Sequence, residues 1–250
     1  MAVSIKSARE IELMREAGKR LAHVHQELEA MITPGISTWE IDAKGEKLIR
    51  DCGCIPNFLH YNGYPASICV SVNDEVVHGI PRKDRYLKEG DIVSLDAGLI
   101  YKGYHSDAAR THAVGKVSTE AQKLMDVTKQ SFFEGIKMAK EGQHLLDISR
   151  AIEEYVAPYG YGIVRDLVGH GIGTALHEDP QIPNYAQKRR GVRLQAGMTL
   201  AIEPMINAGT WQVRFLRDGW TVVTKDGSLS AHYENTILVT DGEPEILTLY

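Results

Sequence analysis

The chain has 250 residues, 43% of them hydrophobic and 24% charged, ordinary proportions for a globular protein with a core sufficient for one large domain or two small ones. A net charge of −5 lacks the basic excess of a nucleic-acid binder, and Lys188-Arg189-Arg190, the only compact basic run, reads as a solvated loop. Cys52, Cys54 and Cys69 are odd in number and lack CxxC pairs, so they support neither a disulfide framework nor a structural zinc, and a reducing cytosol fits best.

The N-terminal stretch is charged throughout and has no apolar centre, which is unlike a secretory signal, and no later stretch has the length of a membrane span. Ser7 and Glu10 form a capping box, and Ile11, Met14, Ala17, Leu21, Val24 and Leu28 follow at steps of three and four, which predicts a first helix. A second helical pattern runs from about Ser37 to Cys52. Strand-like runs follow in "SICVSV", "DIVSLDAGLI" and "YHSDAARTHAV". A longer helical pattern covers about Thr119 to Tyr159 and should break near Glu141-Gly142. The remaining strand-like runs are "MTLAIEPMI", "WTVVT" and "HYENTILVT", and the mixture predicts an α+β fold.

Between the last helix and those strands stands "LVGHGIGTALHEDP", with His170 and His177 seven residues apart. It is not a dinucleotide fingerprint, because the third glycine position holds Leu176 or Thr174. It is not a zincin helix either: Gln181 occupies the place of the second histidine, and Pro180 would break the helix. The partners of these histidines must come from elsewhere in the chain.

Sliding the sequence along itself gives a lead. Met31, Gly35, Ile41, Glu46, Gly53 and Gly90 recur as Met138, Gly142, Ile148, Glu153, Gly160 and Gly197, each pair 107 positions apart, and the same shift carries Asp96 onto Glu203. A duplicated half-domain with these two carboxylates facing one cleft accounts for the pattern.

Lys102-Gly103 reads as a two-residue hairpin turn, which sets Asp96 opposite Ala109 and puts Asp107 on the same face, about 7–8 Å away on the diagonal. Glu203 ends one apolar run and Glu234 interrupts another, so both carry charge where burial is expected. Salt bridges could supply the partners, but neither of those runs carries lysine or arginine alongside its carboxylate. With His170 on a glycine-rich turn, four carboxylates and one imidazole suit divalent Mn, Fe, Co or Zn. One such ion would neutralise half of the four negative charges, and two about 3.5–4 Å apart would balance them and form a hydrolytic centre; periodicity and parity do not choose between the two.

Five blocks now carry a resemblance: "GYPASICVSVNDEVVHGIP", "DAGLIYKGYHSD", "GHGIGTALHEDP", "GMTLAIEPMINAG" and "DGWTVVTKDGSLSAHYENTILVT". In this order, over nearly the whole chain, they resemble the methionine aminopeptidases of bacterial type. The resemblance implies a pita-bread fold, two pseudo-symmetric α/β halves around a central dinuclear metal cleft. Residues 1–250 would form one catalytic domain, with a repeat dividing it into roughly 1–115 and 116–250. It implies that Asp96 binds one metal, that Asp107 and Glu234 bridge both, and that His170 and Glu203 complete the other. His177 would hydrogen-bond the scissile peptide, His78 would face substrate from the opposite half, and Glu203 would carry the proton from the attacking water to the leaving amine. The methionine pocket maps to Tyr61, Tyr64, Cys69, His78 and Trp220, with Phe58 and Leu176 as further walls. The implied substrates are N-terminal Met peptides and nascent chains with a small second residue, a class that includes this chain's own Met1-Ala2. A cytoplasmic monomer with transient ribosome contact, and with neither membrane nor direct nucleic-acid binding, completes the expectation.

Three positions depart from the family. Asn235 stands where many relatives have histidine, His232 lies two places before Glu234, and Gly98 stands where threonine is frequent. Altered metal affinity or pH optimum with retained activity is expected, while the role of His232 stays open. "DAG" and "GYHSDAART" lean toward Xaa-Pro aminopeptidases and dipeptidases of the same fold. A non-catalytic binding protein on this fold is the rival from another class. His23, His25, His60, His105, His112 and His144 read as surface or core residues.

Overall fold

The computed structural model describes residues 3–249, so Met1-Ala2 lies outside the described residues. Ser7 caps helix α1 (Ala8–Glu29) and Ser37 caps α2 (Thr38–Asp51), each through a capping box with the glutamate three places on. The long helical pattern of the second half resolves into α3 (Thr119–Ile136) and α4 (Leu145–Val156), with Gly142 at φ +86° in the gap between them. Among the described residues no helix is long and apolar enough to cross a membrane.

These helices cover a nine-stranded sheet whose pairings are all antiparallel. Leu21, Val24 and Leu28 of α1 and Ile41 and Ile49 of α2 pack against Val70, Leu95 and Leu99. Leu124 and Phe132 of α3 and Ile148 and Ile152 of α4 pack against Leu200, Ile202 and Ile237. Two helix pairs thus clamp two parts of one sheet. Burying each such side chain contributes about 1.5–3 kcal/mol.

The positions matched at a spacing of 107 share backbone geometry. Gly35 and Gly142 have φ of +94° and +86°, Gly53 and Gly160 have +70° and +72°, and Gly90 and Gly197 both have +92°. Three pairs of left-handed turns therefore sit at equivalent places, where a Cβ would be strained.

The hairpin Ile92–Tyr101 and Tyr104–Ala113 turns at Lys102-Gly103, and Asp96 lies opposite Ala109, the register its parity predicts. Gly98 in this hairpin is required by close approach. A Cβ there would lie 2.6 Å from Asn57 Nδ2, which donates to the Ser106 carbonyl, and 3.1 Å from that carbonyl oxygen. Gly98→Thr is therefore expected to destabilise the chain by about 1–3 kcal/mol through overpacking. A urea midpoint equal to the parent's would show that Asn57 yields the space without cost.

Candidate metal centre

Five neighbouring strands deliver the candidate ligands to one face of the sheet. Asp96 pairs with Ala109, and Ala109 with Glu234 on the strand Glu234–Leu238. Thr236 pairs with Ala201 on Thr199–Ile202, and Ala201 with His170 on Gly169–Gly171. Side chains alternate along a strand, so Asp107, two from Ala109, and Glu203, two from Ala201, point to this same face. A one-residue slip in any of these registers would turn a ligand away.

Asp107, His170 and Glu234 are buried, and each offers an atom within 4.8 Å of the others. Half-buried Asp96 and Glu203 complete the cluster, Asp96 through contact with the Asp107 carboxyl and Glu203 with Oε1 3.7 Å from His170 Nε2. His170 Nδ1 donates to the Gly171 carbonyl at 2.8 Å, which fixes Nε2 as the lone-pair nitrogen. That nitrogen faces Asp107 Oδ2 at 3.9 Å as well as Glu203, an acceptor turned toward acceptors.

Asp96 Oδ1, Asp107 Oδ1 and Glu234 Oε1 are enclosed and receive no hydrogen bond from the described residues. Burial, then neighbouring negative charge, raises the pKa of Asp107, Glu203 and Glu234, and burial raises that of Asp96. Burial also lowers His170 to about 3, so this imidazole is neutral and cannot serve as the missing cation. Orphaned oxygens, mutual repulsion and a neutral nitrogen aimed inward fit divalent metal ions as the common partner.

Arg110 was not singled out by the sequence, although it comes from the Asp107 strand. It is buried and donates to the carbonyl oxygens of Ala109 and Glu234 and, at 2.6 Å, to Asn235 Oδ1. Asn235 also accepts from Thr248 Oγ1 at 2.9 Å, so it builds a buried polar bracket behind Glu234.

The cluster forms the floor of a cavity of about 230 Å³. Phe58, Tyr61, Tyr64, Cys69, Leu176 and Trp220 line its walls together with His78 and His177, so every residue expected at the site meets there. Asn62 at the rim was not expected. The Tyr64 and Trp220 rings pack edge to face with centroids 5.2 Å apart, and Tyr64 donates to the Gly79 carbonyl at 2.9 Å. His177 stands at the mouth, its Nδ1 2.8 Å from the Tyr61 hydroxyl and its ring 4.4 Å from that of His170. His78 lines the cavity edge to face with Trp220, ring centroids 6.2 Å apart, and has φ +58°, a left-handed backbone that a non-glycine residue holds only when its surroundings impose it. Burial lowers His78 to about 4 and lowers His177, so both are neutral at pH 7.

Comparison with known proteins shows the family. The pattern of metallopeptidase family M24 matches residues 12–241. A methionine aminopeptidase of Clostridium acetobutylicum is 54% identical over 99% of both chains, and methionine aminopeptidase 1 of Bacillus subtilis is 51% identical over 97% of this chain and 98% of that one. The crystal structure of methionine aminopeptidase from Thermotoga maritima superposes with a TM-score of 0.97 at 46% identity, covering all of both chains.

Proposed function

We infer, because this chain belongs to metallopeptidase family M24 and within it to the methionine aminopeptidases of bacterial type, that it hydrolytically removes methionine from the N-termini of peptides. The observation that carries the reading is the set of Asp96, Asp107, His170, Glu203 and Glu234 converging from five strands on a cavity with aromatic walls large enough for one side chain. The domain is the pita-bread fold, and we read it as a single unit over residues 1–250 with an internal repeat of roughly 1–115 and 116–250, supported by the paired glycine conformations.

Asp96 would hold one divalent ion, Asp107 and Glu234 both, and His170 with Glu203 the other; Co, Mn, Fe and Zn all suit these donors. When bound, such ions polarise a peptide carbonyl and supply a nucleophilic water near neutral pH. Glu203, which lines the cavity beside His170, would take a proton from the attacking water and return it to the leaving amine. His177, steadied by the Tyr61 hydroxyl, hydrogen-bonds the scissile peptide and the charge that develops on it, and His78 faces it from the other side. The methionine side chain lies among Phe58, Tyr61, Tyr64, Cys69, Leu176 and Trp220, where sulfur against aromatic edges is favourable by roughly 0.3–1.5 kcal/mol. Confinement at the mouth favours a small second residue. Nascent chains met in the cytoplasm by a monomer, through transient ribosome contact, are the expected substrates.

Metal-reconstituted protein is expected to cleave Met-Ala-Ser and to leave an Xaa-Pro tripeptide intact. Preference for the Xaa-Pro substrate would move the chain to the sister activity, and inertness toward every short peptide would make it a binding protein.

A further inference from the structure

His232 lies two places before Glu234, on the strand Ser230–His232, and its side chain is 1% exposed. Neither Nδ1 nor Nε2 has a hydrogen-bond partner among the described residues. An enclosed polar atom without a partner costs about 1–3 kcal/mol, so a ring with two of them invites an explanation. Its backbone is pinned: the Thr111 hydroxyl accepts from the His232 N–H and donates to the His232 carbonyl, both at 2.9 Å, and Ser94 Oγ holds that hydroxyl at 2.8 Å.

Held this way, His232 Nε2 lies 3.8 Å from Glu203 Oε2 and 4.0 Å from Glu234 Oε2. His170 Nε2 lies 3.7 Å from Glu203 Oε1 and 3.9 Å from Asp107 Oδ2. Glu203 therefore stands between two imidazoles and presents one oxygen to each. Two donors that share one ion at bonds of about 2.0–2.2 Å are at most about 4.4 Å apart, and all four separations satisfy that limit.

We propose that His232 is a sixth metal-ligating side chain, whose Nε2 adds a second nitrogen donor on the Glu203–Glu234 side of the centre. It rests on the reading of the carboxylate cluster as a metal centre. A set with two imidazoles favours Zn, Co or Fe over Mn more strongly than a set with one, because imidazole is the softer donor. His232 is then the feature that tunes which metal this particular chain retains.

The full chain, labelled with ¹⁵N-histidine and loaded with ¹¹³Cd, tests the bond directly by NMR. Two imidazole nitrogens should show splitting by cadmium, one of which disappears in His232→Gln, a variant that keeps reach and polarity. The same variant should bind Zn or Co about 10- to 100-fold more weakly by calorimetry, with a smaller change for Mn. A single split imidazole in the parent, or a split pair that survives in His232→Gln, would overturn the assignment while leaving the metal centre standing. Failure of the parent to bind any divalent ion would remove both. The parent's spectrum counts coupled imidazoles without a variant, and His232→Asn repeats the assignment if the glutamine form does not fold.

Discussion

Glu203→Gln is expected to lower turnover of Met-Ala-Ser by about 10²- to 10⁴-fold, the usual contribution of a positioned general base and acid. The substitution keeps one oxygen donor and nearly the same volume, so metal content at saturating ion should persist and can be measured on the same sample. Glu203 Oε1 and Oε2 lie 3.7 and 3.8 Å from His170 and His232, and burial raises its proton affinity, followed in effect by the charges of Asp96 and Asp107. A carboxylate can take a proton in one step and give it back in the next, and the amide cannot. The loss should fall on kcat with little change in KM, because the group acts on the reacting atoms and not on the methionine side chain. Parent-like turnover in a metal-replete variant would refute the proton-transfer role.

The parts of this site legible in the sequence were those set by local rules. The two-residue turn at Lys102-Gly103 fixed the parity of its hairpin, and parity alone put Asp96 and Asp107 on one face. The capping box at Ser7 marked the start of the first helix, and the second helical pattern, placed from about Ser37, starts just after that residue. Long-range register was not legible. Nothing local says that Glu234 pairs with Ala109, or that Arg110 reaches past its own strand to the Glu234 carbonyl and Asn235. The close approach behind Gly98 was not legible either, because the side chain that fills the space, Asn57, lies 41 positions earlier. His232 was undecidable for the same reason: its spacing from Glu234 gives it the right face, but only the fold brings Glu203 and Thr111 against it. The roles of His78, His177 and the pocket wall came from family resemblance, since no periodicity distinguishes an aromatic that lines a cavity from one that fills a core.

Removing divalent ions with a chelator is expected to abolish peptide cleavage, with recovery on adding Co, Mn, Fe or Zn. It should also make stability fall as pH rises, a dependence the loaded protein lacks for these groups. In metal-free protein Asp96, Asp107, Glu203 and Glu234 bind protons more tightly than in the unfolded chain, chiefly through burial, and for Asp107, Glu203 and Glu234 also through one another's charge. A raised carboxyl pKa means that the folded state holds more protons than the unfolded one between the ordinary carboxylate range and the raised value. Stability is then fullest below about pH 4 for these groups and falls as pH rises through that window. Metal ions bind the deprotonated ligands and displace those protons, so stability conferred by metal grows as pH rises. The gap between loaded and chelated protein should widen by about 1.4 kcal/mol per pH unit for each proton displaced. Urea midpoints at pH 5, 6 and 7 measure it, and parallel curves for the two forms would mean that the buried carboxylates are balanced by something other than a cation.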